Sequence, residues 1–483
     1  MGPQFNLSSS EEPEDSAHTA KESEKGSSQL NLLGNQSNLL DMISWNENDL
    51  KDALLANISD FLLQKGERQK KVKSIDDVEI SVGNKRNFTG TKSSNYHITV
   101  EFTREGRRLS EVETFFLKQY NEGSTKTILG VPVIPHNGKL LGIHIPYLKP
   151  AEEVSELERE RAIFKFTGKY IGPKVHPDLT SLNPTQIFPR ILRDKSGAFK
   201  KRRQILLETI REETLEEKVA REGVAGLSTL SESLNPVVLL HELLPAQIAR
   251  HKDYGGSELD QIIKRIDDRD VFTNSTLKYL ELLSGEHIGG ARRCELEKVT
   301  SELFYPLANP SDKNFFITTI QKDGYPFHNM FVSLIDGGSV VYGHRALHLG
   351  CLLGHPGIYN KLPVILDNLA DTSGERVASR KKENLSRLIS SYLSKCRLLV
   401  SAEGLDRNVP DKKEITEEFF KTTLLGGVFG NCRIAARIRS SKHHSDESVV
   451  PYLNAIEDQL KYFGETGERF RQLSRISYFK FDV

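Results

Sequence analysis

The chain has 483 residues, enough for two or three compact units. Lysine plus arginine equals aspartate plus glutamate at 66 each, so the balanced charge gives no electrostatic reason to expect nucleic-acid or membrane-surface binding. No run of about 18 apolar residues occurs, which excludes an expected membrane-spanning helix. The N-terminus is polar and acidic, without the basic-then-apolar order of a signal peptide. Cys294, Cys351, Cys396 and Cys432 are dispersed and form no CxxC, so a reducing, cytoplasmic setting is expected rather than a disulfide framework.

Residues 1–38 are rich in Ser, Glu, Asn, Gln and Lys and predict a disordered tail. Residues 39–74 read as a helical extension, with Leu50, Leu54, Leu55, Ile58 and Leu62 at helical spacing. The period then changes. Strands are predicted at 78–82, 96–102 and 112–120, joined by turn-like connections, which argues for an antiparallel sheet. Gly130, Pro132, Pro135 and Gly138 limit any helix in the next stretch, and 152–166 reads as a helix. A strand is expected over 186–192, a long charged helix over 200–221 and a buried strand over 236–244. Beyond Ala246 helices dominate, with two short strand candidates near 315–342. A strand-rich front (75–244) is thus followed by a mostly helical back (245–483).

Within the back portion, the segment from Ile320 to Gly338 reads IQKDGYPFHNMFVSLIDGG and places Asp323, Asn329 and Asp336 around the apolar stretch 330–335. Phosphoryl transfer needs a cation on the phosphates, an acid holding that cation, hard oxygen ligands for magnesium and a carboxylate orienting the attacking hydroxyl. This segment, with the following GGSVVYGHRALHLG, resembles the catalytic and metal-binding loops of the aminoglycoside/choline phosphotransferase family, part of the protein-kinase-like superfamily.

That resemblance implies an α+β, two-lobed protein-kinase-like fold with a small antiparallel-sheet N-lobe and a larger helical C-lobe. It implies ATP and Mg as cofactors, a small-molecule hydroxyl acceptor, and no nucleic-acid or membrane partner; it gives no handle on oligomeric state. Asp323 would orient the acceptor hydroxyl, and Asn329 and Asp336 would hold magnesium. Lys118, in TFFLKQY, would contact phosphate, and Glu160 would pair with it, with Glu156 and Glu158 as rivals. VVLLHELLPAQ would be the hinge strand, with Glu242 and Leu244 offering backbone atoms to adenine.

A second reading stays open on the same residues: a catalytically inactive pseudokinase that binds a nucleotide or a partner. Asp323 and Asn329 stand one position further apart than in that family, so His328 is a rival ligand, and His348 stands where the family places an anchoring Asp. Asp336-Gly337 and Asp323-Gly324 are also ordinary turn pairs. His344, His348, Cys351 and His355 fall on one helical stripe, but Gly350 and Gly354-His355-Pro356 favour packing and local hydrogen bonds over a zinc site. Lys200 to Arg203 precede five glutamates, which favours a solvated, ion-paired face. GGVFG, from Gly426 to Gly430, lacks a preceding strand and reads as a site of close helix packing.

Overall fold

The computed structural model describes residues 36–67, 71–82, 93–120, 127–128, 131–132, 156–168, 187–210, 213–222, 226–263, 269–304, 317–321, 333–362, 374–405, 417–440 and 446–476. Helices α1 (Gln36–Met42) and α2 (Glu47–Gln64) lead into strands β1 (Val72–Val82), β2 (Ser93–Arg104) and β3 (Glu111–Tyr120). Asn46 caps α2, its side chain accepting from the Asp49 N–H at 2.7 Å, and Glu47 and Asp49 suit the positive end of the helix dipole. The expected tail lies outside the described residues apart from 36–38.

β1, β2 and β3 pair antiparallel in sequence, and the alternation that predicts them is real. On one face Val78, Ile80, Tyr96, Ile98, Phe115 and Leu117 are buried against α2, where Phe61 meets Phe115 edge-on at 5.1 Å. The extension therefore closes the front sheet as part of its core. On the other face, Phe116, Lys118 and Tyr120 look toward helix α3 (Glu156–Thr167), which follows the two-residue strands β4 (Thr127–Ile128) and β5 (Val131–Pro132).

The long charged helix expected over 200–221 is instead a short helix α4 (Ala198–Lys201), a strand β6 (Gln204–Glu208) and a helix α5 (Leu215–Glu222). β6 completes the sheet in the order β1-β2-β3-β6, with Lys118 opposite Ile205. Gln204 to Leu207 are all buried; charged flanks on both sides mask this four-residue run in the sequence. The strand expected over 186–192 is reduced to one bridge, Ile191 to Leu207.

The strand expected over 236–244 is helical: α6 (Gly226–Ser233), α7 (Asn235–Val238), a π-helical turn at Leu239–Leu243, and α8 (Leu244–Arg250). Pro245 has no N–H for the carbonyl four residues back, which favours a widened turn there. Glu242 and Leu244 thus lie inside a helix, and the hinge strand that would present their backbone to adenine is not formed by these residues.

Helices α9 (Gly256–Ile262), α10 (Arg269–Ser284) and α11 (Gly290–Leu303) follow. Next comes an antiparallel two-stranded pair, β7 (Ile317–Gln321) with β8 (Val340–His344), in the region where two short strands are expected; residues 333–335 are irregular. The remainder is α12 (Arg345–Leu353), α13 (Pro356–Tyr359), α14 (Gly374–Ala402), α15 (Glu417–Ser440), α16 (Val450–Leu460) and α17 (Gly464–Ser474). α12 and α15 cross backbone to backbone: a Cβ on Gly426 would sit 2.2 Å from the Leu347 carbonyl oxygen, and one on Gly350 would sit 1.9 Å from that of Thr423. The glycines of GGVFG serve close packing, as their setting implies. A small antiparallel sheet in front and helices behind make the fold α+β and two-lobed, as expected. No helix among the described residues is long and apolar enough to cross a membrane.

Candidate active site between sheet and helices

Three of the residues singled out by the sequence meet on the inner face of the front sheet. Lys118 points from β3 to Glu160 on α3, its Nζ lying 2.9 and 3.0 Å from the two carboxylate oxygens. Asp336 Oδ1 lies 3.9 Å from the same ammonium. Of the three glutamates on α3's first turns, Glu160 is the one fully buried at Lys118, while Glu158 is exposed. Strand periodicity explains Tyr120, which sequence reasoning missed. It stands two residues from Lys118 on the same face, and its hydroxyl donates to Glu160.

The turn carrying Asp336 is held against α3. Arg159 donates to the Gly338 carbonyl at 3.1 Å, and the Ser339 hydroxyl to the Asp336 carbonyl at 3.0 Å. A Cβ on Gly337 would come within 2.9 Å of Phe164, and one on Gly338 within 2.9 Å of Glu156. Asp336-Gly337-Gly338 is therefore more than a turn between strands: its glycines let the loop lie directly on the helix that carries Glu160.

Burial alone would lower the pKa of Lys118, but Glu160, Tyr120 and Asp336 offset it and hold the ammonium well above its ordinary range. Burial raises the Glu160 carboxyl, opposed by Lys118 and reinforced by Asp336. Lys118 thus faces two carboxylates, and the side chain of Asp336 is 31% exposed. A hard divalent cation suits a partly exposed carboxylate of this kind, because magnesium takes one or two carboxylates and completes its shell with phosphate oxygens and water. Asp323 and Asn329 lie outside the described residues.

Glu242 belongs to a different cluster, sealed inside the helical lobe. Its carboxylate accepts from Arg345, and both side chains are fully buried. Beside them His241 bonds Tyr392 Oη at 2.7 Å through Nδ1 and His348 Nδ1 at 2.9 Å through Nε2. No local signal pairs Arg345 with Glu242, since an arginine in GHRALHLG reads as a surface residue.

The histidine stripe dissolves into separate tasks. His344 caps α12 by accepting from the Ala346 N–H at 3.2 Å, and His355 caps α13 by accepting from the Gly357 N–H at 3.1 Å. Cys351 donates to the Gly426 carbonyl at 3.3 Å. Among the described residues no group of His, Cys, Asp or Glu is arranged to hold a metal ion by itself.

No family model matches the chain, and no curated protein sequence matches it. Among solved structures it is similar to a choline kinase from Cryptosporidium parvum, with a TM-score of 0.42 and 12% identity over 90% of this chain and 97% of that one. It is also similar to a choline kinase from Streptococcus pneumoniae, with a TM-score of 0.30 and 12% identity over 77% of this chain and 97% of that one.

Proposed function

We propose that the chain is a phosphotransferase that moves the γ-phosphoryl group of ATP, with magnesium, to the hydroxyl of a small molecule. The observation that carries this reading is Lys118, fixed by a buried Glu160 and set 3.9 Å from a partly exposed Asp336. An ammonium so held can contact phosphate oxygens without choosing its own direction, which is the positioning that phosphoryl transfer requires.

In this mechanism Glu160 and Tyr120 orient Lys118, and Lys118 offsets negative charge on the phosphates. Asp336 would supply a carboxylate oxygen to magnesium, with Asn329 as the second candidate ligand. The bound metal would neutralise charge that develops on the transferring group. Asp323 would orient the acceptor hydroxyl and take its proton as the oxygen bonds to the γ-phosphorus and the bond to the ADP oxygen breaks.

The test is thermal denaturation with ATP, with and without magnesium, for the wild type and Asp336→Ala, followed by turnover with hydroxylated acceptors. A magnesium-dependent stabilisation of the wild type that is lost in a folded Asp336→Ala variant supports the reading. Retained turnover by that variant, or no stabilisation at millimolar ATP, overturns it.

A further inference from the structure

Gln204, at the start of β6, is fully buried and joins two parts of the chain that are distant in sequence. Its side-chain oxygen accepts the Trp45 indole N–H at 2.7 Å, and its amide nitrogen donates to the Ile43 carbonyl at 2.9 Å. Its backbone carbonyl accepts from Arg161 Nη2 at 2.5 Å. Arg161 adjoins Glu160 on α3, and the next β6 residue, Ile205, stands opposite Lys118 in the sheet. On the far side, the Arg202 guanidinium lies 3.8 Å from the centre of the Trp45 ring.

We propose that Gln204 is a positioning residue that couples the segment around Trp45 to helix α3, and so to the seating of Glu160 against Lys118. The proposal rests on the reading of Lys118 as the phosphate-contacting group. Gln204 is tied on both sides, by its side-chain amide to Trp45 and Ile43 and by its backbone carbonyl to Arg161, so moving either side strains hydrogen bonds in a region water does not reach. Nucleotide that draws on Lys118 pulls on Glu160 and its helix, and the strain reaches Trp45 through Arg161 and Gln204. In the opposite direction, anything that lifts the N-terminal segment off the sheet loosens the ion pair. Both directions follow from one coupling, as linkage requires.

The chain contains a single tryptophan, so its emission reports on this junction alone. The full chain is titrated with ATP and magnesium while Trp45 emission and melting temperature are read on the same samples. We expect an emission change that saturates at the same nucleotide concentration as the melting shift. Gln204→Met, which keeps the volume but not the side-chain hydrogen bonds, should lose that change and lower kcat about tenfold with KM for ATP little altered. Arg161→Met should do the same, and Arg161→Lys, which keeps a donor, should recover most of the loss. A melting shift with no response from Trp45 overturns the coupling and leaves the reading of Lys118 standing. Absence of both signals removes that reading, and the coupling with it. The wild-type titration decides the matter even where Gln204→Met does not fold.

Discussion

Two of the buried charged groups among the described residues are built to opposite rules. In the helical lobe, Arg345 and Glu242 are both fully buried and match one positive charge with one negative. At the sheet, Lys118 faces both Glu160 and Asp336, and Asp336 keeps 31% of its side-chain surface exposed. The sealed group is closed in charge and in space. The open group sets one cation against two carboxylates and reaches the surface through Asp336. The difference is one of access: a charge pair sealed from solvent holds structure, whereas a partly exposed carboxylate beside a buried cation can be reached by a ligand.

The sharpest way to break that comparison is to remove one cation from the sealed group. Arg345→Met leaves Glu242 buried without its partner and should cost about 3–5 kcal/mol of stability, read from the denaturant midpoint. Asp336→Asn is the counter-experiment. Asp336 repels Glu160 but attracts Lys118, and the two effects oppose each other, so removing its charge should change stability little. Its magnesium-dependent kcat should fall by about 10²–10³, or roughly 3–4 kcal/mol of transition-state stabilisation. A variant that lost stability and activity in parallel would show that Asp336 belongs to the structural class.

A smaller effect concerns the buried histidines. Burial lowers the pKa of His344 and His348 to about 3, with Arg345 adding to the effect at His344. Both are therefore neutral in the folded protein, while in the unfolded chain each takes up a proton below about 6.5. Their contribution is fully present above that value and is lost as pH falls from 6.5 toward 3, at about 1.4 kcal/mol per pH unit for each. Unfolding free energies at pH 7 and pH 5 should differ by about 2 kcal/mol per histidine from this source. His344→Asn keeps the helix cap and removes one titration, so it should remove that share of the slope.

How much of this was legible follows the range of the signal. β1, β2 and β3 alternate with period two, so the strands are legible from local pattern, and the family resemblance singles out Lys118, Glu160 and Asp336, which the fold brings together. β6 is not, because three apolar residues, Ile205 to Leu207, between KKRR and a run of glutamates are outweighed by their flanks. The stretch 236–244 reads as a strand because it is apolar but for His241 and Glu242, and a segment buried all round has no period by which to tell helix from strand. Glu242 misled for a related reason. Its partner Arg345 is 103 residues away, a contact that topology creates and spacing cannot announce. Tyr120 was within reach, two positions from Lys118 on a strand already identified.

Tyr120→Phe carries the comparison to its finest point, since it changes the open group without changing its charge. The Tyr120 hydroxyl donates to Glu160 and favours its ionised form, while burial pushes the carboxyl the other way. Loss of that bond to a buried charged acceptor should cost about 1.5–3 kcal/mol in stability. The more telling consequence is on pH. Without the hydroxyl, Glu160 takes up a proton at higher pH, and Lys118 then loses the anion that orients it. The acid limb of kcat/KM for the Phe variant should therefore move to higher pH, with the plateau reduced by less than tenfold. An acid limb unmoved by this substitution would mean that the ionisation of Glu160 does not govern Lys118. The open group would then owe its activity to Asp336 and the loop before it, and the Lys118–Glu160 pair would fall in the same class as Arg345 and Glu242.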